Sequence, residues 1–110
     1  MNTIELTTPA ISLNNMYRGR RFLTEKGKQT KLSFQWEVKI QWRKEILIVP
    51  VALNVYFFFK DNRRRDIDSH LKCLLDSLTG IVYEDDSQIH ELHIYKSVDK
   101  KNPRTIIEIL

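Results

Sequence analysis

Residues 32–42, LSFQWEVKIQW, decide the fold, and they read in two ways. Leu32, Phe34, Trp36, Val38, Ile40 and Trp42 alternate with polar residues, the period of two that marks a strand with one buried face. Wound as a helix, the same six residues part into two stripes, Leu32/Trp36/Ile40 and Phe34/Val38/Trp42, each with the four-residue spacing of one helix face. A helix of that kind would be buried on two sides. Local pattern favours the strand, and pattern alone does not settle the matter.

On either side of this stretch the elements are plainer. Residues 2–6 predict a short first strand, and Pro9 with the following SLNNMYRGRR predicts a polar, turn-rich loop. VALNVYFFF, residues 51–59, is β-branched and aromatic enough for a buried strand. From Ile67 onward, Ile67, Leu71, Leu74, Leu75 and Leu78 draw one apolar stripe along a helix, with Gly80 placed to end it. Residues 88–98 and 105–110 predict two more strands, joined by a turn over Asp99 to Arg104.

A chain of 110 residues fits one domain and buries enough surface to fold without disulfides or a structural metal. The single Cys73 excludes an intrachain disulfide and a four-cysteine zinc site, and fits a reducing cytoplasm. No apolar run approaches the roughly 20 residues of a membrane span, and the N-terminus has no targeting pattern. Residues 1–65 carry 13 Lys and Arg against 5 Asp and Glu, whereas residues 66–110 carry 5 against 9. A basic surface beside an acidic pocket suits a metal-dependent nucleic-acid enzyme; a merely solvated surface would look the same by charge alone.

The chemistry concentrates in NRRRDIDSHLK, residues 62–72, and in Glu84-Asp85-Asp86 downstream. Carboxylates are the ligands of a hard cation such as Mg²⁺, and arginines are the partners of phosphate. Asp66 and Asp68 stand at the expected start of the Ile67 helix, where either could cap backbone N–H groups. A cap accounts for one aspartate. It does not account for two together with the Asp85/Asp86 pair, since crowded carboxylates repel unless a cation lies between them. Lys72 shares a helix face with Asp68 and with Asp76, so an ion pair is its structural role and phosphate binding its functional one.

The order Arg65-Asp66-Ile67-Asp68, then Lys72, then Asp85-Asp86-Ser87-Gln88-Ile89 running into a strand with Lys96, resembles the RusA family of Holliday junction resolvases. Leu13-Asn14-Asn15-Met16-Tyr17 resembles that family's Asn-Asn loop, and Leu23 to Lys28, LTEKGK, resembles the segment opening its first long helix. The likeness covers nearly the whole chain in order, and it turns residues 25–44 from strand to helix. The expected fold is then α+β: a single domain over residues 1–110, with a mixed sheet of about four strands packed with two main helices.

The resemblance implies a homodimeric, Mg²⁺-dependent endodeoxyribonuclease that cuts four-way DNA junctions by paired nicks in recombination and repair. It assigns the metal carboxylates to Asp66, Asp68 and Asp86 and the motif lysine to Lys72. Arg65 is the family's arginine before the first aspartate, and Ser69 stands where the family usually has Asn. DNA contacts are expected from Asn14, Asn15, Arg18, Arg20, Arg21, Arg63, Arg64 and Arg65. Products should carry a 5′ phosphate and a 3′ hydroxyl, and a two-fold dimer would match the near two-fold junction. A basic DNA-binding module without catalysis, or a Mg²⁺-dependent phosphohydrolase acting on nucleotides, remain as alternatives. His90 and His93 lack the spacing of a zinc pair and belong at the surface or an edge, whereas His70, four residues after Asp66, could touch the site. Cys73 reads as a small buried hydrophobe, and Trp36 and Trp42 as core or dimer contacts.

Overall fold

The computed structural model describes residues 2–19 and 22–110, so Arg20 and Arg21 lie outside the described residues. In chain order the elements are β1 (Asn2–Leu6), the short α1 (Leu13–Met16), β2 (Tyr17–Arg18), β3 (Phe22–Leu23), α2 (Glu25–Gln41), β4 (Val51–Phe59), α3 (Leu71–Leu78), a 3₁₀ turn over Asp86–Gln88, β5 (Ile89–Val98) and β6 (Arg104–Ile109). Four strands form one sheet in the order β1-β6-β4-β5. β4 runs parallel to β5 and antiparallel to β6, and β6 is antiparallel to β1, so the sheet is mixed and the fold is α+β. The mainly apolar run of β4, interrupted by Asn54, suits its inner position, where a strand has neighbours on both edges.

α2 and α3 pack together, and Phe34, Val38, Leu74 and Leu78 are buried with Leu53, Val55 and Ile107 of the sheet in one core. The contested stretch is therefore helical, as the family resemblance required and the local alternation did not. The Thr24 hydroxyl caps α2, accepting the Gly27 N–H at 3.0 Å, and donates to the Asn15 carbonyl at 2.7 Å. Gly27 is needed there, because a Cβ would stand 2.5 Å from the Met16 carbonyl oxygen. Cap and close approach together pin the Asn14-Asn15 segment to the start of α2. The helix ends at Gln41, three residues before the expected 44, where Trp42 turns extended and its N–H returns to the Val38 carbonyl at 2.7 Å.

Only one of the two α2 stripes is covered. Phe34 and Val38 are fully buried and Trp42 nearly so, whereas Leu32, Trp36 and Ile40 are 65%, 67% and 50% exposed. Trp42 is a core residue; Trp36 is not.

α3 begins at Leu71, four residues later than the apolar stripe predicted, and Ile67 lies outside it. The Ser69 N–H and hydroxyl both turn back to the Asp66 carbonyl, at 3.2 and 2.9 Å. The Ser69 carbonyl, which a continuous helix would give to residue 73, accepts the Leu13 N–H of α1 at 2.8 Å instead. Residues 67–70 are thus turns, and the N-cap is His70 with no side-chain capping bond. Neither Asp66 nor Asp68 caps the helix. Gly80 does follow the helix end, at φ +84°, the left-handed conformation glycine tolerates best. The expected loop over residues 12–21 contains α1 and β2 among its described part, and β2 pairs with β3 just beyond it.

Candidate active site

β4 ends at Phe59 and delivers the chain into residues 60–70, which carry Arg63, Arg64 and Arg65 and the motif pair Asp66 and Asp68. Arg65 holds this segment in shape. Its guanidinium pairs with Asp61 at 2.9 Å, lies 4.3 Å from the centre of the Phe59 ring and donates to the Asp61 and Arg63 carbonyls at 3.1 and 3.2 Å. With a side chain only 11% exposed, it is committed to the protein as folded. Lys96 of β5 donates to the Arg65 carbonyl and ties the segment to the sheet. Leu92, Ile94 and Lys96 occupy alternate positions of β5, so the lysine interrupts a row of apolar residues. That interruption is the signal in the sequence from which its anchoring role could have been read.

His70 is buried against Phe59, ring centres 5.1 Å apart in an edge contact, and its Nδ1 is 2.9 Å from the Ser69 hydroxyl. Burial first, then the positive charges of Arg65 and Lys96, lower its pKa below the ordinary 6.5, so the ring is neutral at pH 7. Around it opens a cleft of about 490 Å³, lined among others by Asn14, Asn15, Arg63, Arg64, Asp66 and His70, with Lys26 and Lys60. Arg63, Arg64, Lys26 and Lys60 are exposed, which gives the cleft a basic rim. Arg18, on β2, is exposed and outside that lining.

Asp86 faces a different, shallower depression with Leu75, Ile89 and Glu91, and Asp68 lines neither hollow. Asp85 and Asp86, adjacent in sequence, have separate tasks. The Asp85 carboxylate accepts the Ser87 N–H at 3.0 Å as the N-cap of the 3₁₀ turn, and the Ser87 side chain and then this N–H hold its pKa below the usual carboxylate range. The Gln88 side chain accepts the N–H groups of Glu84 and Asp85 at 2.9 and 3.0 Å and donates to the Leu47 and Val49 carbonyls at 2.9 and 3.0 Å. The Asp-Asp-Ser-Gln block is thus a staple that fastens this turn to the segment after α2 and leaves Asp86 outside it.

Lys72 pairs with Asp76 at 3.0 Å rather than with Asp68. The Asp76 hydrogen bond raises its pKa, with Tyr17 and Asp86 adding to the same side, so the ammonium stands within the field of Asp86. His90 and His93 are exposed on β5, His93 being 3.0 Å from Glu91. Cys73 is free and buried, and burial pushes its thiol up to about 11, so it is an inert packing residue.

The chain has seven aspartates, and they sort cleanly. Asp61, Asp76, Asp85 and Asp99 are engaged by Arg65, Lys72, the Ser87 N–H and Arg104. Among the described residues, the carboxylates of Asp66, Asp68 and Asp86 take no hydrogen bond or ion pair. As exposed oxygen donors without a protein cation, these three suit a hard divalent ion by chemistry. Their placement is not that of a closed cage: among the described residues, no three His, Cys, Asp or Glu side chains stand together so as to hold a metal.

The family described as "Endodeoxyribonuclease RusA" matches residues 8–110. The Crossover junction endodeoxyribonuclease RusA of Shigella sonnei (strain Ss046) is 29% identical over 114 aligned positions, which cover 99% of this chain and 95% of that protein. The protein of the same name from Enterobacteria phage 82 gives the same figures. The Aquifex aeolicus (strain VF5) protein is 29% identical over 76 residues, 67% of this chain, and the chain spans 60% of that relative's length. The family match takes in the Asn-Asn segment, the clasped loop and the acidic turn, and the chain belongs to the RusA endodeoxyribonuclease family.

Proposed function

We propose that residues 1–110 act as one Mg²⁺-dependent nuclease domain that cuts four-way DNA junctions as a homodimer in the cytoplasm, serving recombination and repair. The observation that carries this reading is the sorting of the aspartates. The three left without partners are those the family motif assigns to the metal, and their neighbours are occupied structurally. Asp66, Asp68 and Asp86 would hold the ion. Mg²⁺ commonly binds through one or two carboxylates plus substrate phosphates and keeps several waters, so a preformed three-carboxylate cage is not required. When bound, such an ion supplies Lewis-acid stabilisation of the phosphate and lowers the pKa of a water.

The chain's own residues do the rest. Arg63, Arg64, Lys26 and Lys60 draw the DNA backbone to the cleft, with Asn14, Asn15 and Arg18, and Arg20 and Arg21 in the same role. Arg65 acts through Asp61 and Phe59, keeping Asp66 and Asp68 in place instead of reaching phosphate itself. Lys72 exchanges Asp76 for a phosphate oxygen and offsets charge developing in the transition state, leaving a 5′ phosphate and a 3′ hydroxyl. A labelled four-way junction incubated with the chain should be nicked at two opposed strands in Mg²⁺ and left intact in EDTA. Linear duplex of equal length should be a poor substrate. Equal cutting of linear and branched DNA would leave a generic nuclease, and no cutting with retained binding would leave a DNA-binding module.

A further inference from the structure

His70 stands in the wall of the basic cleft, and its hydrogen bonding decides which of its two nitrogens is free. The Ser69 hydroxyl is 2.9 Å from the Asp66 carbonyl oxygen and 2.9 Å from His70 Nδ1. A carbonyl cannot donate, so the single hydroxyl proton goes to it, and the hydroxyl oxygen must accept at its other contact. The neutral ring therefore carries its proton on Nδ1 and a lone pair on Nε2. Among the described residues Nε2 has no hydrogen-bond partner, and the one buried side-chain nitrogen or oxygen left without a partner is Trp42 Nε1. Nε2 is thus open, and it opens on the cleft that His70 lines.

That lone pair differs from the rest of the lining. Arg63, Arg64, Lys26 and Lys60 are donors suited to phosphate oxygens, and Asp66, the one carboxylate there, is assigned to the metal. A phosphate diester offers only acceptors, so it cannot bond to Nε2; the ligand at that point must bring an N–H or O–H. Phe57 and Phe59 pack on the ring with centres 6.2 and 5.1 Å away and share the lining, so the donor has to sit on a largely apolar body. At about 490 Å³ the cleft has the size of a small-ligand site, enough for one nucleotide and too small for a duplex. A nucleobase meets these requirements, with apolar faces, donors on its edge and phosphates on either side for the rim. Adenine and cytosine carry an exocyclic amino donor where their keto counterparts carry an acceptor.

We propose that the cleft takes one base turned out of the stack beside the branch point, and that His70 Nε2 accepts its exocyclic amino group. His70 is then a specificity-determining residue that favours adenine or cytosine at that place over a keto base. The inference rests on the reading of this chain as a junction nuclease and deepens it by naming the part of the substrate that enters the cleft. A branch point already interrupts base stacking, so turning out a base there costs less than within a duplex.

The test uses the full chain in EDTA, so that no strand is cut, and four-way junctions that differ only in the base beside the branch point. Adenine and cytosine are each compared with hypoxanthine and uracil, which replace the amino group by a carbonyl. Wild type should bind one of the amino-bearing junctions about 5- to 10-fold more tightly than its keto counterpart, the effect of one hydrogen bond. A 2-aminopurine stacked next to that base should brighten on binding. His70→Phe keeps an aromatic ring and removes the lone pair, so the preference should shrink to within about 2-fold, with the salt slope unchanged because no phosphate contact is lost. Ser69→Ala keeps the ring and frees Nδ1, and should give an intermediate preference. Circular dichroism checks that both variants are folded, and the wild-type comparison stands without them. Equal affinity of wild type for the amino and keto junctions overturns the subsite, while cleavage of the same junctions in Mg²⁺ judges the nuclease separately. A preference that survives His70→Phe overturns His70 as its reader, and unchanged 2-aminopurine emission overturns the turned-out base. A chain that neither binds nor cuts any junction removes the nuclease reading and the subsite with it.

Discussion

The two acidic segments, residues 60–68 and 84–88, solve one problem with different materials. Each leaves carboxylates free, Asp66 and Asp68 in one and Asp86 in the other, and each commits a neighbouring aspartate to holding the backbone. In the first, Asp61 and Arg65 form the hold, stacked on Phe59 and tied to β5 by Lys96. In the second, Asp85 caps a 3₁₀ turn and the uncharged Gln88 amide makes four hydrogen bonds to backbone. The first scaffold depends on two cations, Arg65, which also lines the basic cleft, and Lys96. The second is mostly amide and indifferent to them. An aspartate's role is thus set by which backbone donors its neighbours leave it, and residue type does not decide it.

The largest effects should separate free from engaged carboxylates. Asp66→Asn, Asp68→Asn and Asp86→Asn are each expected to lower junction cleavage by about 100-fold or more, with binding equal or tighter, because each removes an oxygen donor and a negative charge near phosphate. Asp85→Asn should fall within several-fold of wild type. Should Asp85→Asn cost as much cleavage as Asp86→Asn at unchanged melting temperature, the division of labour in that turn is wrong.

Next comes Lys72→Ala, expected to slow cleavage by roughly 10- to 100-fold. Its pair with Asp76 leaves the lysine side chain half exposed and is worth under about 1 kcal/mol, so the melting temperature should hardly move. A variant that melts several degrees lower and cleaves normally would make Lys72 a structural residue only.

A smaller and more diagnostic contrast lies within the arginines. Arg63→Ala and Arg64→Ala should each reduce the salt slope of junction binding by about 0.9, the loss of one phosphate contact. Arg65→Ala should leave that slope unchanged and lower stability by about 1–3 kcal/mol, because it breaks the Asp61 pair and uncovers Phe59. Gln88→Ala should cost less, because water can replace three of its four backbone bonds and only the Leu47 carbonyl is part-buried, and it should leave DNA affinity untouched. Equal salt slopes for Arg63→Ala and Arg65→Ala would return Arg65 to the phosphate.

Much of the fold was legible because strands β1, β4, β5 and β6 carry local signals, apolar alternation or β-branched runs between turn residues. α2 was not legible locally. Its two stripes at four-residue spacing are also an alternation of two, and the covering that resolves them is tertiary. α3 was overextended because the apolar stripe continues to Ile67, whereas Ser69 and Leu13 divert the hydrogen bonds that would have carried the helix there. Asp66, Asp68 and Asp86 were singled out as metal candidates by motif; that they are left without partners is visible only in the fold. That Arg65 is a clasp and Lys96 its anchor depends on β4 and β5 lying side by side, a contact between residues far apart in the chain.

The smallest expected effect concerns acid. Asp61, through the Arg63 N–H and then Arg65, and Asp85, through Ser87, are both held below the usual carboxylate range. Each therefore contributes stability above its unfolded value and loses it as pH falls through the lower folded one, which puts both losses below about pH 4. His70 belongs to the first segment alone. Its folded pKa is lowered by burial and by Arg65 and Lys96, so the unfolded chain takes up the proton first. Stability is complete above about pH 6.5 and declines as pH falls from there through the lowered folded value. As pH falls below about 6.5 the loop at residues 60–70 should loosen while the turn at 84–88 does not. Hydrogen-exchange protection at the amides of Arg63 and Ser87, taken relative to the intrinsic rate at each pH, reads the two segments separately, and only the first should lose protection. His70→Gln, which cannot protonate, should flatten the change. If both amides respond alike, or neither does, the ring is not coupled to the clasp, and the two scaffolds differ less than their chemistry indicates.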